Sequence, residues 1–261
     1  MTLPMKTLLK WISEDNWDYT KGVPKIGFYG WTEPSTVSQE EALKEYCQAH
    51  PDEFDLFDVF RVPLGQMTIS SSILIDLKDC DYICAPGMAA VEFIKQYRAR
   101  GYKATLIDGG ILSGYRGPLA DSVGWEGIDG SLTPIPALHW SDTTFNMVKE
   151  ARELLHRYLP GKEEEIVYAG NTYIGCWQQF VTVFDILKDA IAQVGAENFN
   201  GQAFYDAAVK YKTTGSVWEG FPQWGFSETK RMLVDHCGVY KFSAQAEDMI
   251  RVSDWLPLVS E

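Results

Sequence analysis

Cys84, at the end of the strand-like run "CDYICAPG", is the first residue in this chain whose type could do chemistry. With His139 or His236 as base it would be the nucleophile of a small α/β hydrolase-type enzyme. The surrounding "CAPGM" lacks the strained elbow signature that such nucleophiles sit on. His50, His139, His156 and His236 have no metal-ligand spacing, and each reads more simply as a solvated or core histidine. Cys47, Cys80, Cys84, Cys176 and Cys237 are odd in number with no C-x-x-C pair, so neither a disulfide framework nor a zinc site is signalled. The glycine-rich "DGGILSG" holds neither G-x-G-x-x-G nor G-K-[ST], so no phosphate loop is read there. No cofactor is implied. A different kind of candidate is Tyr173 in "GNTYIGCWQQFVTVFDILKDAI", a tyrosine crowded by Gly170 and Gly175 at the start of a helical pattern. The structural alternative is a packed first-turn aromatic with a solvated hydroxyl.

Composition narrows the partners. A chain of 261 residues that is 46% hydrophobic can bury a sizeable core as one large domain or two lobes. Its formal net charge of -13 argues against nucleic acid and anionic membrane, both of which its field would repel. A small molecule is the expected partner. No apolar run is long enough to span a bilayer. The first residues, "MTLPMKTLLKWISEDNW", read as an amphipathic helix and not as a signal peptide, because Lys6 and Lys10 interrupt the apolar run.

The elements that must position these residues alternate. "KIGFYG" is strand-like; "SQEEALKEYCQA" is a helix with a capping box from Ser38 to Glu41; "FDVFRV" is a second strand. A short serine-capped helix, "SSSILIDLKD", precedes "CDYICAPG", then come the helix "MAAVEFIKQYRARG" and the strand "KATLID". Strands are thus expected near 25–30, 57–62, 81–84 and 103–107, parallel in one sheet with helices on its faces. After the strand-like "GIDGSLTPI" come the helices "SDTTFNMVKEARELLHRYL", the Tyr173 segment and "FNGQAFYDAAVKY". The Tyr173 segment has Ile174, Trp177, Phe180, Val181, Phe184, Leu187 and Ile191 at helical spacing, which predicts a buried helix. The last part, "GVYKFSAQAEDMIRVSDWLPL", reads as two short strands returning to the first sheet, with Ile250 and Val252 on one face. Ligands of such sheets sit outside the carboxyl ends of the strands, here the loops "YGWTEPST", "CAPGM" and "DGGILSG".

The order "DYICAPGMAAVEFIKQYRARGYKATLID", "NTYIGCWQQFVTVFDILKDAI", "FNGQAFYDAAVKY", "VYKFSAQAEDMIRVSDWLPL" resembles type 1 periplasmic binding proteins of the leucine/isoleucine/valine-binding kind, the solute receptors of ABC importers. The resemblance covers nearly the whole chain. It implies a doubly wound α/β lobe of residues 1–168 and 220–261, with 169–219 a helical excursion belonging to the other lobe and hinge. The family's N-terminal half of that first lobe has no counterpart here. It further implies no enzymatic activity, a periplasmic or extracellular location, an ABC permease as partner and lobe closure on a small solute. A ligand-sensing domain of a membrane receptor is the alternative. By position the solute contacts would be Trp31, Thr32 and Ser35 on the first loop, Pro86, Gly87 and Met88 on the second, Asp108 and Gly110 on the third, and Tyr173 from the crossover. Amino-acid binders of the family carry an acidic residue where Gly110 stands, so amides and aromatic acids are weighed beside amino acids as solutes.

Overall fold

The computed structural model describes residues 2–259. In chain order the regular elements are α1 (Thr2–Trp11), β1 (Lys25–Trp31), α2 (Pro34–Ala49), β2 (Asp55–Val62), α3 (Ser71–Asp76), β3 (Tyr82–Cys84) and α4 (Met88–Arg98). There follow β4 (Thr105–Ile107), α5 (Arg116–Ile128), β5 (Leu132–Ile135), α6 (Asn146–Tyr158), α7 (Glu163–Ala169), α8 (Thr172–Val194), α9 (Gly201–Ala208), β6 (His236–Ser243), β7 (Asp248–Arg251) and β8 (Leu256–Pro257). They form two compact units. One holds the chain through Ile135, the crossing residues Tyr168–Gly170 and everything from Cys237 onward; the other holds Pro136–Val167 and Asn171–His236. The sequence had grouped 136–167 and 220–236 with the sheet, whereas in this division they go with the helices.

The sheet of the first unit runs β2-β1-β3-β4-β5-β6-β7, with β8 on β6. The first five strands are parallel, and β6 and β7 join antiparallel. The strands expected at 25–30, 57–62, 81–84 and 103–107 are therefore present and parallel, and the terminal strands return to the same sheet. Order 2-1-3-4-5 is the doubly wound pattern. Right-handed connections leaving β1 in opposite directions must lie on opposite faces. Side chains alternate along β1 accordingly. Ile26 and Phe28 pack with Met5, Leu8 and Leu9 of α1 and Leu43 and Tyr46 of α2, while Tyr29 stacks on Phe93 of α4 at 5.0 Å. Both faces close so tightly that β1 needs glycine twice. A Cβ at Gly27 would run into Leu77 Cδ2, and one at Gly30 into Thr36 Cγ2.

Two details depart from the sequence reading. Helix α2 starts at Pro34, four residues before the expected capping box, so Ser38 lies inside it and gives its hydroxyl proton to Ser35 O. Proline's fixed φ makes it a better first helical residue than Ser38 is a cap. On β7, Met249 is buried and Ile250 is exposed, the reverse of the expected face. The crossing residues are tied to the sheet unit by Arg116, which donates from Nε to Tyr168 O at 3.2 Å and pairs with Asp248. Tyr168 Oη in turn donates to Asp121 at 2.6 Å.

In the second unit α8 packs on α9 and the chain just after it through Ile186, Ala190, Ala207 and Tyr211. Its buried residues, Ile174, Gln178, Thr182, Ile186 and Ala190, recur every fourth position. Helix α8 exists as expected, but it is not buried all round: Phe180, Val183 and Phe184 are exposed. The inward face accepts polar residues because they are used: Gln178 Oε1 takes the Leu138 N–H at 3.2 Å, and Thr182 Oγ1 donates to Gln178 O at 3.0 Å.

Four of the five cysteines are buried, and the sheet unit holds all four. Burial pushes the thiols of Cys47, Cys80 and Cys237 up to about 12, and that of Cys84 well above its ordinary value. Because the folded pKa values are raised, the stability carried by the neutral thiols is whole below the unfolded value of about 8.5 and is lost as pH rises. Each thiol then removes about 1.4 kcal/mol per pH unit. Calorimetry should show a melting temperature flat between about pH 6 and about pH 8 and falling steeply from about pH 9, and a flat curve beyond that would contradict the packing of these thiols.

Candidate functional site

In an open sheet of this order, the crevice lies at the switch between β1 and β3, where successive connections leave in opposite directions and their loops part. The loops after β1, β3 and β4 share that carboxyl edge. They are built very differently.

After β1, Trp31 is half-buried and its indole N–H donates to Gln66 O at 3.1 Å. Thr32 gives both its amide and its hydroxyl proton to Val62 O, at 2.8 and 3.1 Å. Ser35 and Thr36 both donate to Glu33 Oε1, at 3.1 and 2.9 Å. The hydroxyl protons of Thr32 and Ser35 are therefore already engaged. What each hydroxyl retains is acceptor capacity on its oxygen.

The loop after β3 is buried at Pro86 and Gly87, and Met88, the first residue of α4, is 37% exposed. Gly87 has φ +65 and ψ -145, a conformation that only glycine adopts cheaply. Added bulk would be tolerated there, since a Cβ meets only Ile111 Cγ2 at 3.7 Å. The dihedral is the reason for the residue. Gly87 offers no side chain to cap α4: the Ala90 amide is taken by Gly87 O at 3.1 Å, and those of Met88 and Ala89 are left without a side-chain cap, as an anion or carbonyl would need.

The loop after β4 turns on Asp108, which is completely buried. Its Oδ1 accepts from Gly110 N at 3.0 Å and from Thr133 Oγ1 at 2.6 Å; its Oδ2 accepts from Ile111 N and from Leu112 N at 2.7 Å. Burial pushes the carboxyl pKa up, and the Thr133 hydroxyl and the three amides oppose that shift. Asp108 faces its own loop. The residue left at the edge is Gly110, half-exposed with φ +117. Gln39 of α2 was not foreseen from the sequence. Fully buried, it accepts the Gly109 N–H on Oε1 at 2.6 Å and so ties this loop to α2. Nothing in the sequence singled it out, because a glutamine within a helical pattern reads as surface.

Tyr173 belongs to the helical unit, in the first turn of α8. Its ring stacks on buried Trp140 at 5.9 Å, and the Arg152 guanidinium lies 5.4 Å from the Trp140 ring. The Tyr173 hydroxyl has no hydrogen-bond partner among the described residues. The two glycines near it differ in what they do. Gly170, at φ +139, has room for no Cβ, which would stand 2.5 Å from Ser113 O, while Gly175 is open.

The nucleophile reading of Cys84 fails on its surroundings. The residue has no exposed surface and its thiol is pushed well above the ordinary value by burial, where a reactive cysteine is accessible and has a lowered pKa. Among the described residues no group of three or more His, Cys, Asp or Glu is placed to hold a metal.

No protein-family model matches the sequence, and no curated protein matches it. Solved structures do. A branched-chain amino acid ABC transporter protein from Thermus thermophilus with bound valine matches with TM-score 0.76 at 12% identity, over 98% of this chain and 65% of its own. A solute-binding protein from R. palustris in complex with benzoate matches with TM-score 0.68 at 15% identity, over 99% and 64%. A fatty acid ABC transporter substrate-binding protein from Thermomonospora curvata gives TM-score 0.71 at 12% identity, over 98% and 62%. The fold is thus that of type 1 periplasmic binding proteins, as the resemblance implied, and the chain spans less than two-thirds of the length of each of these structures.

Two outcomes test this subsection. Asp108→Asn points amide hydrogens at donors that now have an acceptor, and urea titration should show a loss of about 1–3 kcal/mol; an unchanged midpoint would mean the loop does not depend on the carboxylate. Under native conditions a thiol reagent should modify Cys176, the exposed cysteine, and leave Cys84 unlabelled until the chain unfolds.

Proposed function

We propose that the protein is the solute-binding component of an ABC importer, or a part of one, and not an enzyme. The observation that carries this reading is the match of a doubly wound sheet and its helical partner, over nearly the whole chain, to proteins that hold valine, benzoate or fatty acids. The sheet unit is one ligand-binding lobe, and the helical unit with Tyr173 is part of the other, joined through the crossings near 136, 170 and 236.

In this reading the sheet lobe offers the solute Trp31, Thr32 and Ser35, then Pro86, Gly87 and Met88, then Gly110, with Asp108 holding the third loop in place. The α4 amides and the Trp31 ring favour a carboxylate attached to an apolar or aromatic body. With Asp108 turned inward, no carboxylate of the third loop faces an ammonium, so an aromatic acid or an amide suits these loops better than an α-amino acid. Binding stabilises a closed state that a permease distinguishes from the open one. Such a receptor works in the periplasm or at the outer cell surface. No described helix is long and apolar enough to cross a membrane.

The test is a thermal-shift series on the protein purified as its cell makes it, with valine, benzoate and a fatty acid as probes. A solute present at one hundred times its Kd stabilises the folded form by about 2.7 kcal/mol, a rise of several degrees. Benzoate is expected to shift the melting temperature most. Tyr173→Ala should weaken that binding by about 1–3 kcal/mol, with the ligand-free melting temperature lowered only by the lost Trp140 stack, worth about 0.5–1.5 kcal/mol. If none of the three probes shifts the melting temperature, the reading is wrong for these solute classes; if Tyr173→Ala binds like wild type, Tyr173 is a packing residue.

A further inference from the structure

Between β2 and α3 the chain runs through residues 63–70 with little apolar packing to hold it. Ile69 is buried, but Leu64 and Met67 are 64 and 45% exposed. The run opens with a turn in which Gln66 N donates to Pro63 O at 3.1 Å and Gly65 takes φ +80, the third-position conformation of a type II turn. Gln66 Nε2 then donates to Thr68 O at 3.1 Å, folding the run onto itself. A segment with so few buried apolar contacts opens easily unless hydrogen bonds tie it to something firmer.

Two side chains on the regular elements supply such ties. Gln96, late in α4, donates from Nε2 to Met67 O at 3.0 Å and accepts the Ile69 N–H on Oε1 at 3.3 Å. Its amide thus pairs with the groups on either side of Thr68, as a neighbouring strand would. Trp31 is the second, through the indole N–H that Gln66 O accepts at 3.1 Å. Trp31 ends β1 opposite Val62, the end of β2, so the run leaves the sheet directly beside it at the carboxyl edge.

The consequence falls on the Trp31 ring. Rotation of an indole about its Cβ–Cγ bond is broad and roughly two-fold, and the ring has one N–H, so an acceptor on one side selects one attitude. Gln66 O is that acceptor, and the carbonyl of the next residue is what Gln96 holds. Glutamine is the residue this requires. Methionine of the same length offers neither bond, and a glutamate could accept from Ile69 but would set an oxygen against Met67 O.

We propose that Gln96 is a positioning residue for Trp31: it braces residues 63–70 so that Gln66 O fixes the indole ring at the edge where the solute is held. The inference rests on the receptor reading for its purpose. A ring held in one attitude is ordered before the solute arrives, and it suits the flat body of an aromatic acid better than a branched aliphatic one.

The experiment follows the indole N–H signals of the nitrogen-15-labelled protein by NMR. The chain has nine tryptophans, and the signal missing from Trp31→Phe identifies that of Trp31. Gln96→Met is expected to move the Trp31 signal and to speed its exchange with water, with the other indole signals in place. Gly65→Ala should move the same signal from the other end of the run, because its methyl meets nothing within 4 Å but is strained at φ +80. A Trp31 signal unmoved in Gln96→Met would overturn the proposal, and so would a displacement of all the indole signals together, since Gln96 would then hold the sheet unit and not this run. Titration calorimetry with benzoate should show Gln96→Met binding about threefold to tenfold more weakly than wild type. Equal binding by the two proteins overturns the proposal while the receptor reading stands. Because the indole signal needs no solute, a displaced Trp31 signal in a protein that binds no probe sinks the receptor reading and leaves the positioning of Trp31 by Gln96 supported.

Discussion

A carboxylate with no contact to water has to be surrounded by donors, and Asp108 meets that demand with three amides of its own loop and the hydroxyl of Thr133 on the next strand. The chain after β4 must therefore fold back over the carboxylate, and β5 must stand where Thr133 can reach it. Gln39 adds a tie from α2 to Gly109. One buried side chain thus joins the fourth strand, the fifth strand and the loop at the sheet's carboxyl edge, and Gln39 links the same loop to a helix. Buried charge that is fully hydrogen-bonded rigidifies its surroundings, and that is the property required of a loop at a binding edge.

The same economy of space governs the middle of the sheet. Strand β1 is covered on both faces, with α1 and α2 on one and α4 on the other, and glycines at 27 and 30 let Leu77 and Thr36 come against its backbone. That closeness is possible because strand order 2-1-3 sends the two connections to opposite faces. It also opens the crevice between the loops after β1 and β3. Fold and candidate site are two consequences of one topological switch.

The helical unit follows a different rule. Its internal contacts use every fourth residue of α8, some of them polar, and leave the more apolar stripe outside. Phe180, Val183 and Phe184 thus form an exposed apolar patch, of the kind that marks interaction surfaces in soluble proteins.

Much of the sheet was legible in the sequence because alternation of apolar strands and amphipathic helices is a local pattern, and local patterns determine element type. Strands 25–31, 55–62, 82–84 and 105–107 announced themselves in this way, as did Asn200, whose side chain caps α9 through the amides of Gln202 and Ala203. The sequence also marked the three strand-end loops, since glycine, proline and hydroxyl residues gather where the backbone must turn. What it could not show was direction. Whether Asp108 faces solvent or its own loop, whether Gln39 reaches Gly109, and which of two apolar stripes on α8 is covered all depend on neighbours distant in sequence, 25 residues away for Asp108 and Thr133 and 70 for Gln39 and Gly109. Periodicity says that a face is apolar; only the packed neighbours decide whether it is the one buried, and here the stripe with the stronger sequence signal is the one left open.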